Sequence, residues 1–291
     1  MTVKFSLPAL LLLALVVSAA SFADGLSVGP GMVEKPAAPL VPPEPEKQLI
    51  PLEIAIPVLD PGLPEKDYEA TEKGIWPELR RAEAHRLAWE LKMAVDDSRS
   101  FSATRVTPNA SSSADLYVLG KILKSNGEDL HLQIAVYDST GKRWYKRKYK
   151  HRNKGYWYAN PRNKGKDPFV PLYRDIVDDL EKYAGKKKDR DILKIQQVTS
   201  LRFAHLFAPE SFGRYFKVKK GKVKLLGMPA ADDPMVQRTN AVRVRDQVFV
   251  DSFQAHYASF VQSMDEPYLM WQQESGKQSA ALRKAKTAAA L

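Results

Sequence analysis

Residues 141–166 form a basic and aromatic stretch that contains the residue types best suited to binding chemistry. The stretch holds eleven Lys or Arg, six Trp or Tyr, and no Asp or Glu. The whole chain has 45 basic and 34 acidic residues. Without these eleven, 34 basic residues remain against 34 acidic ones, so the net charge of +11 comes from this stretch. Lys and Arg attract anions, and Tyr and Trp add contact area at interfaces. The stretch therefore predicts the binding of an anionic partner.

The first part of this stretch, Lys142–Lys150, is predicted to be a β-strand in which alternate side chains point to opposite faces. Neither face is apolar enough for a core strand beyond Tyr145, so we expect the strand to protrude or to lie at an edge of the sheet. The alternative interpretation is structural, because edge strands carry Lys to block unwanted pairing. The predicted partner-binding residues are Arg143, Trp144, Arg147, Tyr149, Arg152, Tyr156 and Trp157.

The sequence shows no motif of a common active site. There is no Gly-rich phosphate loop, G-x-S-x-G elbow or H-E-x-x-H pair. The chain has no cysteine, which excludes disulfides and thiolate metal sites. The adjacent carboxylates Asp96-Asp97 and Asp178-Asp179 would point about 100° apart on a helix, and the five histidines are scattered along the chain. We therefore predict a non-enzymatic protein without catalytic residues, cofactor or metal.

The chain begins with the pattern of a cleaved export signal. Lys4 precedes an apolar run from Leu7 to Ala20, and Ser21-Phe22-Ala23 places small residues where a signal peptidase cleaves. A membrane anchor is the alternative, but the run is shorter than the ~20 apolar residues that span a bilayer, and acidic Asp24 follows it. We expect cleavage after Ala23, a periplasmic location, and no transmembrane segment in the mature chain.

The elements that position the basic stretch are predicted from residue 50 onward. A Pro-rich linker covers 24–49 and precedes a domain at 50–185 with the order β-α-β-β-β-β-α. The helices are marked by apolar faces at helical spacing, and in the first helix Arg80, Arg81, Glu83, Glu90 and Lys92 are expected to turn mostly away from the apolar face. Asn126-Gly127 marks a hairpin. The predicted fold class is α+β, a mostly antiparallel sheet with two helices on one face. The predicted strands are 52–59, 101–107, 116–123, 130–137 and 142–150, and the predicted helices are 76–95 and 168–184.

The region that follows, residues 186–274, is predicted to be mainly helical. A helix is expected at 190–207 and a small basic hairpin at 216–225. Alternating valines between Val242 and Val250 suit a strand, whereas Phe249, Phe253 and Phe260 recur at helical spacing, so we expect a helix from about residue 246. The Ala- and Lys-rich residues 275–291 are predicted to be a tail that frays.

Two neighbouring strands of the predicted sheet share a pattern with known envelope proteins. A strand of the form D…V.G.I precedes one of the form V.D…G, and the matching residues are Asp115, Val118, Gly120, Ile122, Val136, Asp138 and Gly141. With its flanking elements, the region resembles the amino-terminal domain of TolB, the lipoprotein activators of penicillin-binding proteins, and the periplasmic domain of the curli-secretion lipoprotein. The resemblance implies a docking module. The chain lacks the cysteine of a lipid anchor, and residues 186–291 do not show the β-propeller of TolB.

These observations lead to two expectations for function. The leading one is a periplasmic docking protein that binds another envelope protein through the surface formed by residues 141–166. The alternative is a binder of an anionic envelope polymer or lipid, peptidoglycan or lipopolysaccharide, through the same residues. Nucleic acid has the right charge for such a surface, but export places the protein in a compartment without it.

Overall fold

A computed structural model describes residues 50–154, 157–220, 222–230 and 232–290. The predicted export signal and Pro-rich linker lie outside these residues. No helix in the described ranges combines the length and the apolar character that a membrane span requires. The elements are β1 (Ile50–Pro57), α1 (Asp67–Glu72), α2 (Pro77–Ser98), β2 (Phe101–Thr107), β3 (Leu116–Ser125), β4 (Asp129–Asp138), β5 (Arg143–Arg152), α3 (Val170–Ala184), α4 (Asp189–Phe207), α5 (Pro209–Phe212), β6 (Phe216–Lys219), β7 (Lys222–Leu225) and α6 (Pro234–Ala289).

The centre of the molecule is a five-stranded mixed sheet with the order β2-β1-β3-β4-β5. β1 pairs in parallel with both β2 and β3. α2 carries the chain back between β1 and β2, and residues 108–115 connect β2 to β3 on the other side of β1. β3, β4 and β5 form an antiparallel meander. The α+β fold class is confirmed, and β5 lies at an edge of the sheet as predicted.

The main core lies between one face of this sheet and the helices α2 and α3. In β4, alternate residues from Leu130 to Val136 are fully buried, as period-two patterning requires. Leu87 and Leu91 of α2 and Ile176 of α3 pack into the same cluster. Each such side chain contributes about 1.5–3 kcal/mol through burial. We refer to this side of the sheet as the helix-covered face and to the other side as the second face.

A smaller core forms where α4, α5 and the β6–β7 hairpin meet. Val198, Leu201, Phe212 and Phe216 belong to it. The hydroxyl of Thr199 on α4 donates to Asp115 Oδ1 at 2.6 Å, which ties this region to the start of β3. The predicted helix at 190–207 and hairpin at 216–225 are both present.

The last helix, α6, has 56 residues and would extend about 84 Å if straight. It begins about three turns earlier than residue 246. Its N-terminus is Asp233-Pro234, in which the Asp233 carboxylate accepts from the Met235 N–H at 2.8 Å and proline occupies the first helical position. The strand-like alternation of Val242–Val250 does not form a strand. The helix continues past Pro267 to Ala289, so most of the predicted tail is helical.

The path of α6 runs from the second face around the β2 edge to the other end of the sheet. Arg243 and Gln247 donate to the Glu53 carboxylate on β1 at 2.8–3.0 Å. Further along, Asp265 pairs with Arg86 of α2, and Ser275 donates to the Asn126 carbonyl in the β3–β4 turn at 3.1 Å. The helix therefore straps the β2 side of the domain from end to end.

Candidate functional site

The candidate site is built on β5, the edge strand that contains most of the basic stretch. β4 borders its inner side, and no strand of the described residues borders its outer side. A register shift opposite Val136 and Tyr137 inserts one extra residue into β5. Such a bulge disturbs the strict alternation of side chains, so Trp144 and Tyr145 are both buried although they are adjacent.

The aromatic residues of β5 face the core. Trp144 is 9% exposed, and its indole N–H donates to Asp138 Oδ2 at 2.9 Å. Tyr145 stacks on Tyr183 of α3 with ring centroids 4.6 Å apart, and Tyr149 is 6% exposed. The core therefore continues past Tyr145, contrary to our expectation. Little of the area of Trp144 and Tyr149 is left for a partner.

Arg147 and Tyr149 share one carboxylate of α3. The Tyr149 hydroxyl donates to Asp179 Oδ2 at 2.5 Å, and Arg147 forms an ion pair with the same oxygen. Burial, followed by the hydrogen bond to Asp179, raises the pKa of Tyr149 far above its usual value. Arg147 keeps 56% of its side chain exposed, so the pair anchors β5 on α3 and still presents a cation to solvent.

Arg152 forms the corresponding anchor at the end of β5. Its guanidinium donates to both oxygens of Asp129 at 2.7 and 3.0 Å, and Lys124 pairs with Asp129 at 2.6 Å. Burial acts to raise the pKa of Asp129, but the hydrogen bonds and charges of Arg152 and Lys124 outweigh it and lower that pKa to about 2. About half of the Arg152 side chain remains exposed.

The remaining cations of β5 are exposed and have no carboxylate partner among the described residues. They are Arg143, Lys146, Lys148 and Lys150. Lys146, Lys148 and Lys150 project from the second face at intervals of about 7 Å, the repeat of every second residue in a strand. We call the six exposed cations of β5 the basic edge: Arg143, Lys146, Arg147, Lys148, Lys150 and Arg152.

The other two predicted binding residues lie in the loop after β5. Trp157 is half-buried, and its indole N–H has no hydrogen-bond partner in the described part of the chain. Tyr156 lies outside the described residues. Arg143, Arg147 and Arg152 are therefore exposed at intervals along β5, and Arg147 turns toward α3. Trp144 and Tyr149 are buried in the core, and Trp157 lies in the loop that follows the strand.

A buried polar cluster between α2 and α6 escaped prediction from the sequence. Glu83 is 1% exposed, accepts hydrogen bonds from Ser125 and, at 2.8 Å, from Tyr268, and forms an ion pair with Arg80 at 3.0 Å. Arg80 and Glu83 were expected to point away from the apolar face of α2, and the structure contradicts this. The spacing in the sequence does indicate this burial, because Arg80 and Glu83 recur at helical intervals before Leu87. All three residues therefore share one face of α2.

Arg86 is the second centre of this cluster. It pairs with Asp265 of α6 and with Glu90 at 3.1 Å, and it lies over the Tyr268 ring at 4.8 Å. Burial raises the pKa of Glu90 to about 7, even though the charge of Arg86 lowers it. Burial likewise raises the pKa of Glu83. The carboxylates all have basic or hydroxyl partners, which identifies the cluster as an anchor for α6.

In the described residues, no group of three or more His, Asp or Glu is arranged to hold a metal ion. No protein-family model, curated protein or solved structure matches this chain. The function proposed below is therefore argued from the geometry of the basic edge alone.

Proposed function

We propose that this protein is a non-enzymatic docking protein of the bacterial periplasm that binds another envelope protein through the basic edge. The observation that carries the proposal is an edge strand with six exposed cations, four of which lack a carboxylate partner in the described structure. The predicted export signal supports the location. Unpaired cations on a rigid strand favour an acidic partner surface over neutral ones, because they steer the encounter and penalise wrong partners.

The mode of docking follows from the position of β5 in the sheet. An edge strand presents unpaired N–H and C=O groups on its outer side, and an extended segment of a partner can add to such an edge. Lys and Arg disfavour the pairing of an arbitrary apolar strand and favour a strand that carries Asp or Glu. The anchors of Arg147 on Asp179 and Arg152 on Asp129 hold the strand in place before binding.

The test uses a photoreactive residue at Lys150, placed in cells that export the protein. We expect a discrete protein adduct, identified by mass spectrometry. Replacement of Arg143, Lys146 and Lys148 by Glu should reduce its yield at least tenfold. The matched control replaces Lys217, Lys219 and Lys224 of the β6–β7 hairpin, which are also exposed strand cations, and should leave the yield unchanged. Equal adduct yields in both variants would overturn the proposal.

An anionic envelope polymer or lipid is the second candidate. The observation that favours it is the row of Lys146, Lys148 and Lys150, whose spacing of about 7 Å suits a chain of repeating anionic groups. Binding through such a row weakens steeply with salt, because exposed charges are screened within about 8–10 Å at physiological ionic strength. Heterogeneous glycan or lipid adducts in the same crosslinking experiment, lost in 0.5 M NaCl, would favour this candidate.

A further inference from the structure

A cavity of about 290 Å³ lies between the β3–β4 turn, the loop after β5 and the last third of α6. Its volume is at the small end of the range for ligand sites and far exceeds the space needed for one water molecule. It is separate from the basic edge. The polar and charged side chains around it are those of Glu128, Asn153, Tyr158, Lys277 and Lys284.

The walls of this cavity are held in place by close backbone packing. A Cβ atom at Gly276 would lie 2.9 Å from the Gly127 carbonyl oxygen and 2.8 Å from the Tyr158 ring, so α6 approaches the turn only because residue 276 is glycine. The Tyr158 hydroxyl donates to the Gly127 carbonyl at 2.7 Å. These contacts within the protein are sufficient to form the cavity.

The hydrogen-bonding groups of the cavity are mismatched, with donors in excess. Asn153 is 5% exposed, and its side-chain amide nitrogen makes no well-aligned hydrogen bond within the described residues. The amide lies close enough to the Tyr158 hydroxyl to act against the rise that burial causes in the pKa of Tyr158. The Glu128 carboxylate is neutralised by Arg283, which donates to it at 2.9 Å. Lys284 adds positive charge at the rim, whereas the charge of Lys277 is paired with Glu274 at 2.7 Å. A buried donor without an acceptor costs about 1–3 kcal/mol, and a bound acceptor would remove that cost.

Two further buried polar groups, which are close in the chain to residues of the cavity but do not line it, also lack partners. Gln272, one helical turn before Gly276, is 1% exposed, and neither atom of its amide group makes a hydrogen bond within the described residues. Trp157, the neighbour of Tyr158, has an unpaired indole N–H. Buried polar groups in native proteins are nearly always satisfied. Asn153 and Trp157 leave only donors unpaired, whereas Gln272 leaves one donor and one acceptor. A bound acceptor would therefore complete the first two groups.

We propose that this cavity binds a small oxyanion, a carboxylate or a phosphate group. The Asn153 side-chain amide donates a hydrogen bond to it, and Lys284 balances its charge. The proposal does not depend on the function of the basic edge. A bound oxyanion would also join α6 to the loop after β5, so occupancy stabilises the C-terminal part of the strap.

The proposal is tested by NMR titration of the intact protein with sodium phosphate or sodium acetate at constant ionic strength. We expect saturable shifts of the Asn153 side-chain amide and the Trp157 indole N–H. The affinity should fall at least tenfold in Asn153→Asp, which replaces a donor by an anion, and at least threefold in Lys284→Gln. Lys286→Gln, a nearby exposed control on α6, should bind as the unaltered protein does. Tighter binding of phosphate or of acetate identifies the class of anion.

Shifts that sodium chloride reproduces, or affinities equal in all variants, would overturn the proposal. Circular dichroism melts without anion check that each variant is folded, and if Asn153→Asp is unfolded, Lys284→Gln decides. Glu substitutions at Arg143, Lys146 and Lys148 should leave phosphate binding intact, which separates this site from the basic edge.

Discussion

The two edges of the sheet are protected in opposite ways. At the β2 edge, the Gln254 side chain of α6 accepts from the Val106 N–H and donates to the Val106 carbonyl, both at 2.9 Å, as a neighbouring strand would. Arg105 of β2 also pairs with Asp251 of α6 at 2.5 Å. At the β5 edge, no segment of the described residues forms such a cover, and exposed cations line the strand instead. The difference indicates that the β2 edge is closed for stability, while the β5 edge is kept open and basic.

The largest expected effect is a loss of stability when the buried cluster that anchors α6 on the β2 side is disrupted. Glu83→Ala should lower the free energy of unfolding by about 3–5 kcal/mol, because it leaves Arg80 buried without its anion and removes the acceptor of Tyr268. Urea denaturation followed by circular dichroism measures this change. Glu78→Ala breaks an exposed pair with Arg81 and should cost at most about 1 kcal/mol. Similar losses in both variants would contradict the anchoring role of Glu83.

The next expected effect is a pH dependence of stability that arises on the β2 side of the domain, which α6 covers. Because burial raises the folded-state pKa of Glu90 from 4.5 to about 7, the folded state binds this proton more tightly than the unfolded state does. The contribution of Glu90 to stability should therefore fall as pH rises from about 4.5 to 7 and stay level above that range. Glu90→Gln should remove about 1–3 kcal/mol of this fall.

Urea denaturation at pH 5, 6, 7 and 8 measures the pH dependence. An identical fall in the unaltered protein and in Glu90→Gln would rule out Glu90 as its source. On the β5 side, stability should change with pH in the opposite direction and over a different pH range. The pKa of Asp129 is lowered from 3.8 to about 2, so the stability it contributes is lost only as pH falls between about 4 and 2.

A smaller effect is expected where Gln254 covers the β2 edge. Gln254→Ala should cost about 1–3 kcal/mol, because the N–H and C=O groups of Val106 lose their partners. It should also promote self-association, since it exposes a strand edge. Urea denaturation and analytical ultracentrifugation measure the two effects. Gln262→Ala, an exposed position on the same helix, is the control, and equal behaviour of both variants would show that Gln254 does not protect the edge.

Local patterns in the sequence predict the sheet and its helices well. Asn126-Gly127 marks the β3–β4 hairpin, with Gly127 at a φ of +74°, and Pro77 marks the start of α2. In each case the residue determines the conformation of the turn or helix in which it lies. The order of the elements and the edge position of β5 follow from these signals.

The inward turn of Trp144 could not be predicted in this way. It depends on a bulge in β5 and on the Asp138 carboxylate at the end of β4, whereas strand alternation alone assigns Trp144 to the lysine face. Similarly, the burial of Arg80 and Glu83 depends on Ser125 and on Tyr268, which is 185 residues away from Glu83. The exposed cations of β5 were thus predicted from the charge of the stretch, whereas Trp144 and Tyr149 belong to the core.

The most direct test compares the two edges in one experiment. Photoreactive residues are placed separately at Lys148 on β5 and at Ser102 on β2, both exposed, and adducts are identified by mass spectrometry after irradiation of cells that export the protein. The account predicts a discrete protein adduct at Lys148 and none at Ser102. An adduct only at Ser102, or equal adducts at both, would contradict the account. The absence of adducts at both positions would mean that the lysines of β5 serve only to keep the edge soluble.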